Sequence, residues 1–287
     1  MAQRLRRARR LGGGRRLISV AIPTLDGAAA LERTLTAVRA QTVEAEIVVL
    51  DSSSTDATRA VAAGFGAAVH VIARAAFGHG GARNRLMALC GGDRVAFLTQ
   101  DAVPAEREWL ARLLAPAAEL TYGPYVAPPG ASASLRREYA EQFATKPPST
   151  WISSANLCLS RAAWERTPFR EIAYAEDQQL LRDLGGGVYV PGAAVVHGHE
   201  YGPIERLRRY FDEFRALHDV HGFVAPASPR IMAGTVRVEV RRDRAYGSAT
   251  WPAVQWHAAR ALGAALGTRA DRLPGPVRSR LSLERRA

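Results

Sequence analysis

The feature that most constrains this chain is the alternation of short apolar runs and amphipathic segments over residues 17–114. Each run holds five or six residues, mainly Val, Ile, Leu or Ala, and predicts a strand. The runs are Leu17–Ile22, Glu46–Leu50, Ala68–Ile72 and Arg94–Leu98. The segments between them carry apolar residues three to four positions apart, which is typical of helices. Strands and helices that alternate in this way form parallel crossovers, so the sequence predicts an α/β fold with helices on both faces of a mostly parallel central sheet.

The second half of the chain is less regular and is interrupted by prolines. A short helix is predicted near Leu135–Phe143, and a strand-like segment follows at Trp151–Leu159. The later elements predicted from apolar spacing are helices at Glu176–Leu184 and Glu205–His218 and short strands at Val188–Val190 and Ala194–His197.

Composition divides the chain into three regions. Residues 1–16 hold seven Arg and no acid, and they predict a basic arm without fixed structure. Residues 17–225 carry the α/β pattern and form the expected main domain. Residues 226–287 are rich in Ala and Arg and predict a helical extension, in which Pro252–Leu266 can form a helix. We expect that helix to pack on the body, because the apolar stripe along it is mostly alanine: Val254, Ala258, Ala261, Leu262 and Ala265.

Charge is concentrated at the two ends of the chain. Of the net charge of +12, residues 1–16 carry +7 and residues 278–287 carry +3, which leaves +2 for residues 17–277. Because the body is nearly neutral, we expect no specific nucleic-acid partner, although a basic nucleic-acid-binding or scaffolding protein with a non-catalytic α/β body remains an alternative. Basic tails also attract anionic lipid, so a weak peripheral contact with the inner face of the membrane is a second expectation.

Composition also excludes several classes of protein. With 47% hydrophobic and 23% charged residues, the chain lies in the globular range. It has no apolar run of about 18 residues that could span a membrane, and no apolar segment typical of a signal peptide follows its basic start. Two cysteines, Cys90 and Cys158, are too few for a disulfide framework or a four-ligand zinc site. We therefore expect a cytoplasmic protein.

Acidic residues directly follow the second and fourth predicted strands. Ligands of open α/β sheets bind at the carboxyl ends of the strands, so these acids belong to the expected binding edge. Asp51 can accept hydrogen bonds from a nucleobase or a ribose, whereas Asp56 is more simply explained as a cap of the next helix. Asp101, the last residue of Thr99-Gln100-Asp101, is a candidate ligand for Mg²⁺ or Mn²⁺ beside a bound diphosphate.

Two further pairs of residues have side chains that can act in catalysis or bind a metal ion. Glu176-Asp177 begins a predicted helix, where acids are favourable in any case, but one carboxylate could act as a general base while the other holds an acceptor hydroxyl. His197-Gly198-His199 follows a predicted strand, so both imidazoles can lie on one side and bind a metal ion. His199 can equally be an ordinary surface residue, and the sequence leaves open which of the two histidines is the ligand.

Six segments of the chain, in this order, resemble the family 2 nucleotide-sugar glycosyltransferases, which have the GT-A fold. Each segment is loosely defined alone, but six of them in the family's order are specific. The resemblance extends from about Leu17 to Phe223. The segments are Val20–Gly27, Ile47–Thr58, Gly81–Asn84, Phe97–Pro104, Ala175–Gln178 and Pro191–His197.

The resemblance implies a role for each candidate residue. A divalent metal ion, Mg²⁺ or Mn²⁺, is the implied cofactor, with Asp101 and His197 as its ligands. The implied catalytic base is Asp177, with Glu176 beside it. Thr99 stands where the family has the first Asp of its Asp-x-Asp motif, so Asp101 is the only carboxylate of this loop and His197 gains importance. The implied nucleotide-binding residues are Pro23, Thr24, Asp51, Ser53 and Arg83.

Within the family, the chain is most similar to rhamnosyltransferases at Thr99–Ala102, Tyr122–Pro124 and His197–Tyr201. This similarity implies transfer of rhamnose from dTDP-rhamnose to a hydroxyl of a glycan acceptor, in a polysaccharide, the cell wall or a lipid-linked glycan. One base and no evident enzyme nucleophile imply a single displacement with inversion. A sugar nucleotidyltransferase is a further alternative, but it should carry a glycine-rich, basic loop after the first strand, and Pro23–Gly27 is not such a loop.

Overall fold

A central sheet organises the structure, which is a computed structural model describing residues 18–143, 152–172 and 174–283. The basic arm predicted at residues 1–16 lies outside these ranges. The strands of the described residues are β1 (Ile18–Thr24), β2 (Glu46–Asp51), β3 (Ala68–Val71), β4 (Arg94–Leu98), β5 (Val103–Pro104), β6 (Leu120–Tyr122), β7 (Tyr125–Val126), β8 (Asn156–Ser160), β9 (Val188–Tyr189) and β10 (Val195–Val196).

Seven of these strands form the central sheet, in the order β3-β2-β1-β4-β8-β6-β9. Only β8 runs antiparallel to its neighbours, β4 and β6, and every other pair in this sheet is parallel. The mostly parallel α/β architecture predicted from the sequence is therefore confirmed. The remaining three strands form a separate small sheet in the order β5-β10-β7.

Helices pack on both faces of the central sheet. Leu31 and Leu35 pack on one face together with Val20 of β1, whereas Leu86 packs on the other face with Ala21, the next residue of β1. This is the period-two alternation of a strand that is buried on both sides. The helices of the described residues are α1 (Ala28–Arg39), α2 (Thr58–Gly64), α3 (His79–Leu89), α4 (Trp109–Leu114), α5 (Ala133–Phe143), α6 (Arg161–Arg166), α7 (Glu176–Asp183), α8 (Pro203–His221), α9 (Pro229–Arg244), α10 (Thr250–Gly267) and α11 (Gly275–Leu281).

The strand predicted at Trp151–Leu159 is wrong over residues 152–155, and Trp151 lies outside the described residues. In the structure β8 begins at Asn156, because the Asn156 N–H donates to the Ser153 carbonyl at 3.0 Å and closes a turn there. Strands β5, β6 and β7 were not predicted, since segments of two or three residues are too short to show a periodicity. No helix in the described part of the chain has the length and apolar character needed to cross a membrane.

The C-terminal helices pack closely on α8. The helix predicted at Pro252–Leu266 is present as α10, and two of its glycines face α8. A Cβ atom at Gly263 would lie 2.6 Å from the Leu207 carbonyl oxygen, and one at Gly267 would lie 2.4 Å from the Phe211 carbonyl oxygen. Only glycine allows the two backbones this approach. The bounds of α9 and α11, which lie within the extension predicted to be helical, were not predicted.

Asp243 of α9 joins three helices at a fully buried position. Its Oδ1 accepts a hydrogen bond from Arg137 Nε at 2.5 Å, and its Oδ2 accepts one from the Ser134 hydroxyl and lies 2.7 Å from His257 Nε2. Burial alone would raise the pKa of Asp243, but the hydrogen bonds from Ser134 and Arg137 outweigh it and lower the pKa. The ionised carboxylate therefore holds α9 against α5 and α10.

We expect Asp243→Asn to lower the free energy of unfolding by about 2 kcal/mol at pH 7, because it removes the buried charge that pairs with Arg137 Nε and leaves only Glu141 and Glu239 to compensate the guanidinium. Urea denaturation followed by circular dichroism measures the change. Asp271→Asn, at an exposed position of the same C-terminal part, is the matched control and should be neutral. Equal unfolding midpoints for Asp243→Asn and the wild type would contradict the role given to Asp243.

Candidate active site

The loops that follow β1 and β2 are fastened to each other. Asp26 Oδ1 accepts a hydrogen bond from the Thr55 N–H at 2.7 Å. Asp56 accepts hydrogen bonds from the Ala28 N–H at 3.1 Å and the Thr58 N–H at 2.9 Å, which are the first residues of α1 and α2. Asp56 therefore satisfies the starts of both helices, consistent with the capping interpretation. These bonds fix the edge of the sheet at which ligands of α/β folds bind.

Asp51 lies at the end of β2 and is fully buried. Its carboxylate accepts hydrogen bonds from the Ser54 N–H at 2.9 Å and from the Thr24 hydroxyl at 3.3 Å. The structure thus gives Asp51 and Thr24 a part in shaping the loop. Their nucleotide contacts, and those of the half-buried Pro23 and the exposed Ser53, stay predictions.

Gln100 connects the loop after β4 to the loop after β1. Its Oε1 accepts a hydrogen bond from the Leu25 N–H at 2.9 Å, and its Nε2 donates to the Leu25 carbonyl at 3.2 Å. A Cβ atom at Gly27 would lie 2.4 Å from this side-chain amide, so the arrangement requires glycine at position 27. In the sequence, Gln100 stands out only as the neighbour of Asp101, and no sequence pattern indicates this role.

The small sheet brings the metal-binding candidates together. Strand β10 pairs antiparallel with β5, with Val196 opposite Val103. Asp101 precedes Val103 by two residues and His197 follows Val196 directly, so the register places both at one end of this sheet. On the other side of β10, the His197 N–H donates to the Val126 carbonyl of β7 at 3.0 Å.

Three potential ligands meet at this end of the small sheet. Asp101 Oδ2 lies 3.5 Å from His197 Nδ1 and 3.1 Å from His199 Nε2. One ligand atom from each residue lies within 4.8 Å of the other two. Gly198 has a φ of 154°, which side chains disfavour, and this conformation lets both histidines approach the same carboxylate. His199, which the sequence left undecided, therefore joins Asp101 and His197.

His197 has the protonation state that a metal ligand requires. Burial lowers its pKa, although the Asp101 charge opposes this, so the ring is mainly neutral at pH 7. Its Nδ1 is buried and has no hydrogen-bond partner among the described residues. A buried nitrogen left in this way is costly unless an ion or ligand satisfies it. Asp101, His197 and His199, hereafter the metal triad, therefore fit a divalent cation.

The two acids at the start of α7 have different surroundings. Glu176 is buried, and its Oε1 lies 3.1 Å from Arg83 Nη1 in an ion pair that is itself buried. Arg83 also donates to the His79 carbonyl at 3.0 Å. The Arg83 guanidinium thus compensates the charge of Glu176, and its predicted nucleotide contact stays a prediction.

Asp177, by contrast, has no cationic partner within ion-pair distance among the described residues. Its oxygens accept hydrogen bonds from the Ser154 and Gln178 N–H groups, both at 2.8 Å. Burial, reinforced by the Glu176 charge, raises the pKa of Asp177 to about 6. The carboxylate is therefore mostly ionised at pH 7 and more basic than an ordinary aspartate, as a general base should be.

Tyr125 of β7 connects this acid to the metal triad. Its ring meets the His197 ring edge to face, with 5.1 Å between the centroids. Burial raises the pKa of Tyr125 well above its usual value, and the nearby charge of Asp177 adds to the shift. Tyr125 therefore packs against His197 and lies close enough to Asp177 to feel its charge. The sequence did not single out Tyr125, since its strand is only two residues long.

A cavity of about 1140 Å³ extends from this site, and Tyr125, Ser153, His197 and His199 form part of its wall. Helices α5, α8, α9 and α10 supply most of the remaining wall. The volume is large enough for more than a small cofactor. Aromatic rings are frequent in the wall, which includes Tyr139, Tyr201, Tyr210, Phe214, Phe223 and Trp256.

Comparison with known proteins identifies the family. Residues 19–187, more than half of the chain, match the family model described as glycosyl transferase family 2. The chain belongs to glycosyl transferase family 2. Its enzyme class is therefore glycosyltransferase, and the non-catalytic scaffold and the nucleotidyltransferase considered above are set aside. The GT-A fold expected from the sequence is confirmed as well.

Two curated relatives of this glycosyltransferase come from Salmonella. The chain is 29% identical over 191 residues to the O-antigen chain rhamnosyltransferase WbaN of Salmonella anatum, an alignment that covers 58% of the chain and 61% of the relative. It is 27% identical over 223 residues to the O-antigen chain rhamnosyltransferase RfbN of Salmonella typhimurium LT2, covering 68% of the chain and 70% of the relative. The chain thus spans less than two thirds of the length of WbaN.

Solved structures share the fold at low identity. The mannosyltransferase PcManGT from Pyrobaculum calidifontis, in complex with GDP-Man and Mn²⁺, has a TM-score of 0.58 at 19% identity, over 96% of this chain and 83% of that one. Glucosyl-3-phosphoglycerate synthase from Mycobacterium tuberculosis, in complex with UDP, has a TM-score of 0.53 at 24% identity, over 79% of this chain and 86% of that one.

We expect the glycosyltransferase to bind Mn²⁺ without nucleotide, and Asp101→Asn, His197→Ala and His199→Ala each to weaken that binding at least about tenfold, because each removes one ligand. Electron paramagnetic resonance of free Mn²⁺ measures the affinity. His70→Asn on β3 is the matched histidine control and should bind like the wild type. Wild-type affinity in Asp101→Asn would contradict the metal triad.

Proposed function

We propose that this family 2 enzyme is an inverting rhamnosyltransferase that moves rhamnose from dTDP-rhamnose to a hydroxyl of a glycan or lipid-linked glycan acceptor. Two considerations support the choice of sugar. Both curated relatives named above are rhamnosyltransferases of O-antigen chains. The chain also carries Thr99–Ala102, Tyr122–Pro124 and His197–Tyr201, the segments in which it resembles rhamnosyltransferases.

The observation that carries the proposed mechanism is the contrast between the two acids of α7. Glu176 is neutralised by the buried Arg83, whereas Asp177 lacks such a partner and its pKa is raised to about 6. A general base works best when its pKa lies near the working pH. Asp177 is therefore the proposed base, and Glu176 with Arg83 positions it. This choice goes against the alternative in which Glu176 takes the proton.

In the proposed reaction, Asp177 accepts the proton of the acceptor hydroxyl. The acceptor oxygen forms a bond to the anomeric carbon of rhamnose as the bond from that carbon to the diphosphate oxygen breaks. The leaving nucleoside diphosphate takes the bonding electron pair. One displacement without an enzyme nucleophile inverts the anomeric configuration. The N–H groups of Ser154 and Gln178 keep the Asp177 carboxylate oriented during this step.

The proposed metal site consists of Asp101, His197 and His199. A bound divalent cation would supply Lewis-acid neutralisation of the leaving diphosphate. Two imidazoles and one carboxylate favour Mn²⁺ over Mg²⁺, because Mg²⁺ is bound mainly by oxygen ligands. The Tyr125 ring holds His197 in place from the side of β7.

The cavity is the proposed acceptor site. Its aromatic rings offer flat apolar surfaces, and its charged groups, such as Glu213 and Arg209, offer hydrogen bonds to hydroxyls. Part of the wall comes from residues after 225, including Trp256, over which the Arg206 guanidinium lies 3.7 Å from the ring centroid. We therefore propose a catalytic domain at 17–225 and an extension at 226–287 that completes the acceptor site.

We expect Asp177→Asn to lower the rate of transfer from dTDP-rhamnose at least about 10²-fold, since it keeps the shape of the side chain but removes its basicity. Release of dTDP is followed with octyl glycosides as acceptors and Mn²⁺ present. UDP-glucose and GDP-mannose serve as competing donors and should be poor substrates. Binding of dTDP-rhamnose, measured by calorimetry, should stay nearly unchanged.

Asp183→Asn, at the last position of the same helix, is the matched control and should transfer at the wild-type rate. A larger loss in Glu176→Gln than in Asp177→Asn would move the base to Glu176. Near-wild-type transfer by a folded Asp177→Asn enzyme would overturn the proposed mechanism, and preference for another donor would overturn the proposed sugar.

A further inference from the structure

A second concave surface lies away from the sheet, between α9 and α10. It is a groove of about 660 Å³. Its floor is apolar and comes from both helices, with no carboxylate among the residues that line it. The apolar floor residues are Met232, Val236 and Val240 of α9 and Val254, Ala258 and Leu262 of α10. The stripe predicted along Pro252–Leu266 therefore faces an open groove, while the opposite face of α10 packs on α8.

Arginines form one edge of this groove. Arg230, Arg237, Arg241 and Arg244 follow each other at helical spacing, so they lie in one stripe along α9. All four are exposed. Arg237 and Arg241 form no hydrogen bond or ion pair through their side chains with any described residue.

The acids of α9 do not neutralise this stripe. Glu239 Oε2 and Asp243 Oδ1 each lie 2.5 Å from a nitrogen of Arg137, which is buried on α5. Their charges are thereby paired on the inner side of the helix, whereas the arginine stripe faces solvent. The outer face of α9 is therefore strongly positive despite the two acids in its sequence.

Large apolar side chains are exposed beside the arginines. Trp251 is 67% exposed, Ile231 is 54% exposed and Val238 is 52% exposed. Leu262, at the groove, is 42% exposed. An exposed Trp with aliphatic residues and a row of Arg is the composition of a surface that lies at a lipid–water boundary. We refer to the groove, the arginine stripe, Trp251 and Leu262 as the α9–α10 face.

We propose that the α9–α10 face docks on a membrane surface that contains anionic lipids. The arginines pair with lipid phosphates, and Trp251 and its apolar neighbours enter the boundary between headgroups and acyl chains. Charge complementarity favours this partner over a second copy of the chain, since a two-fold contact would bring two arginine stripes together. Nucleic acid would also match the charge, but it would leave the exposed aliphatic residues without a partner.

The α9–α10 face lies next to the cavity of the candidate active site, so docking would affect how an acceptor reaches the enzyme. Met232 and Ala261 line both the groove and the cavity that His197 and His199 also line. A docked enzyme would therefore have its cavity next to the lipid surface, where a lipid-linked acceptor can enter. This consequence rests on the proposed function, whereas the docking itself does not.

The test uses the full chain and vesicles of phosphatidylcholine, with or without 30 mol% phosphatidylglycerol. We expect the wild type to co-sediment with the anionic vesicles at low salt, and Arg237→Gln/Arg241→Gln to weaken that binding at least about tenfold. The matched control is Arg33→Gln/Arg85→Gln, which removes two exposed arginines from helices on opposite faces of the sheet. All variants keep residues 1–16, so the contribution of the basic arm cancels.

A second readout tests insertion. Anionic vesicles should shift the tryptophan emission of the wild type to shorter wavelength, and Trp251→Phe should remove that shift. Equal losses of vesicle binding in the two double variants would overturn the proposal. An unchanged shift of the tryptophan emission in Trp251→Phe would also overturn it. So would a loss of oligonucleotide binding without a loss of vesicle binding in Arg237→Gln/Arg241→Gln, or a concentration-dependent dimer that Trp251→Ala abolishes.

Failure of the docking proposal can be separated from failure of the proposed function. Stabilisation of Arg237→Gln/Arg241→Gln by Mn²⁺ and dTDP, measured by thermal shift, should equal that of the wild type, since neither arginine belongs to the donor site. Unchanged vesicle binding together with normal stabilisation would overturn docking alone.

Discussion

The site depends on backbone hydrogen bonds among three strands of two residues each. The pairing of β10 with β5 brings Asp101, which follows the fourth strand of the central sheet, next to His197, which is 96 positions later in the chain. The pairing of β10 with β7 brings the Tyr125 ring against His197. Without this small sheet the metal triad would not form, because none of its members is held in place by the central sheet alone.

The two acids at the start of α7 differ in their electrostatic surroundings. They are adjacent in the sequence, but only Glu176 is buried and forms an ion pair with a buried cation, Arg83. The pKa of Asp177 rises because burial and the neighbouring carboxylate both disfavour ionisation and outweigh the opposing effect of Arg83. A similar arrangement operates in α9, where Arg137 pairs with the inner acids and leaves the outer arginines facing solvent. In both places a buried arginine determines which charge remains available for function.

Much of the fold could be predicted from the sequence, because the long strands β1, β2 and β4 and the amphipathic helices have clear periodicities. Asp101, Asp177 and His197 could be named from their positions beside predicted elements, and the structure brings Asp101 and His197 together with His199. Tyr125 and the role of Gln100 could not be predicted, since both depend on contacts between segments far apart in the chain. The opposite roles of Glu176 and Asp177 depend likewise on Arg83, which is 93 positions before Glu176. The arginine stripe of α9 was missed because the bounds of that helix within the helical extension were not predicted.

The pH dependence of transfer is the most direct test of Asp177 as the proposed general base. Single-turnover transfer from dTDP-rhamnose is measured between pH 4.5 and 8 at two saturating Mn²⁺ concentrations, so that protonation of the histidine ligands can be recognised by its dependence on metal. We expect the wild-type rate to fall about tenfold per pH unit below an apparent pKa near 6, independently of Mn²⁺. The residual activity of Asp177→Asn should not show this decrease at acidic pH. A wild-type rate that stays level down to pH 5 would contradict the role of Asp177 as the base. The same decrease at acidic pH in Asp177→Asn would contradict it as well.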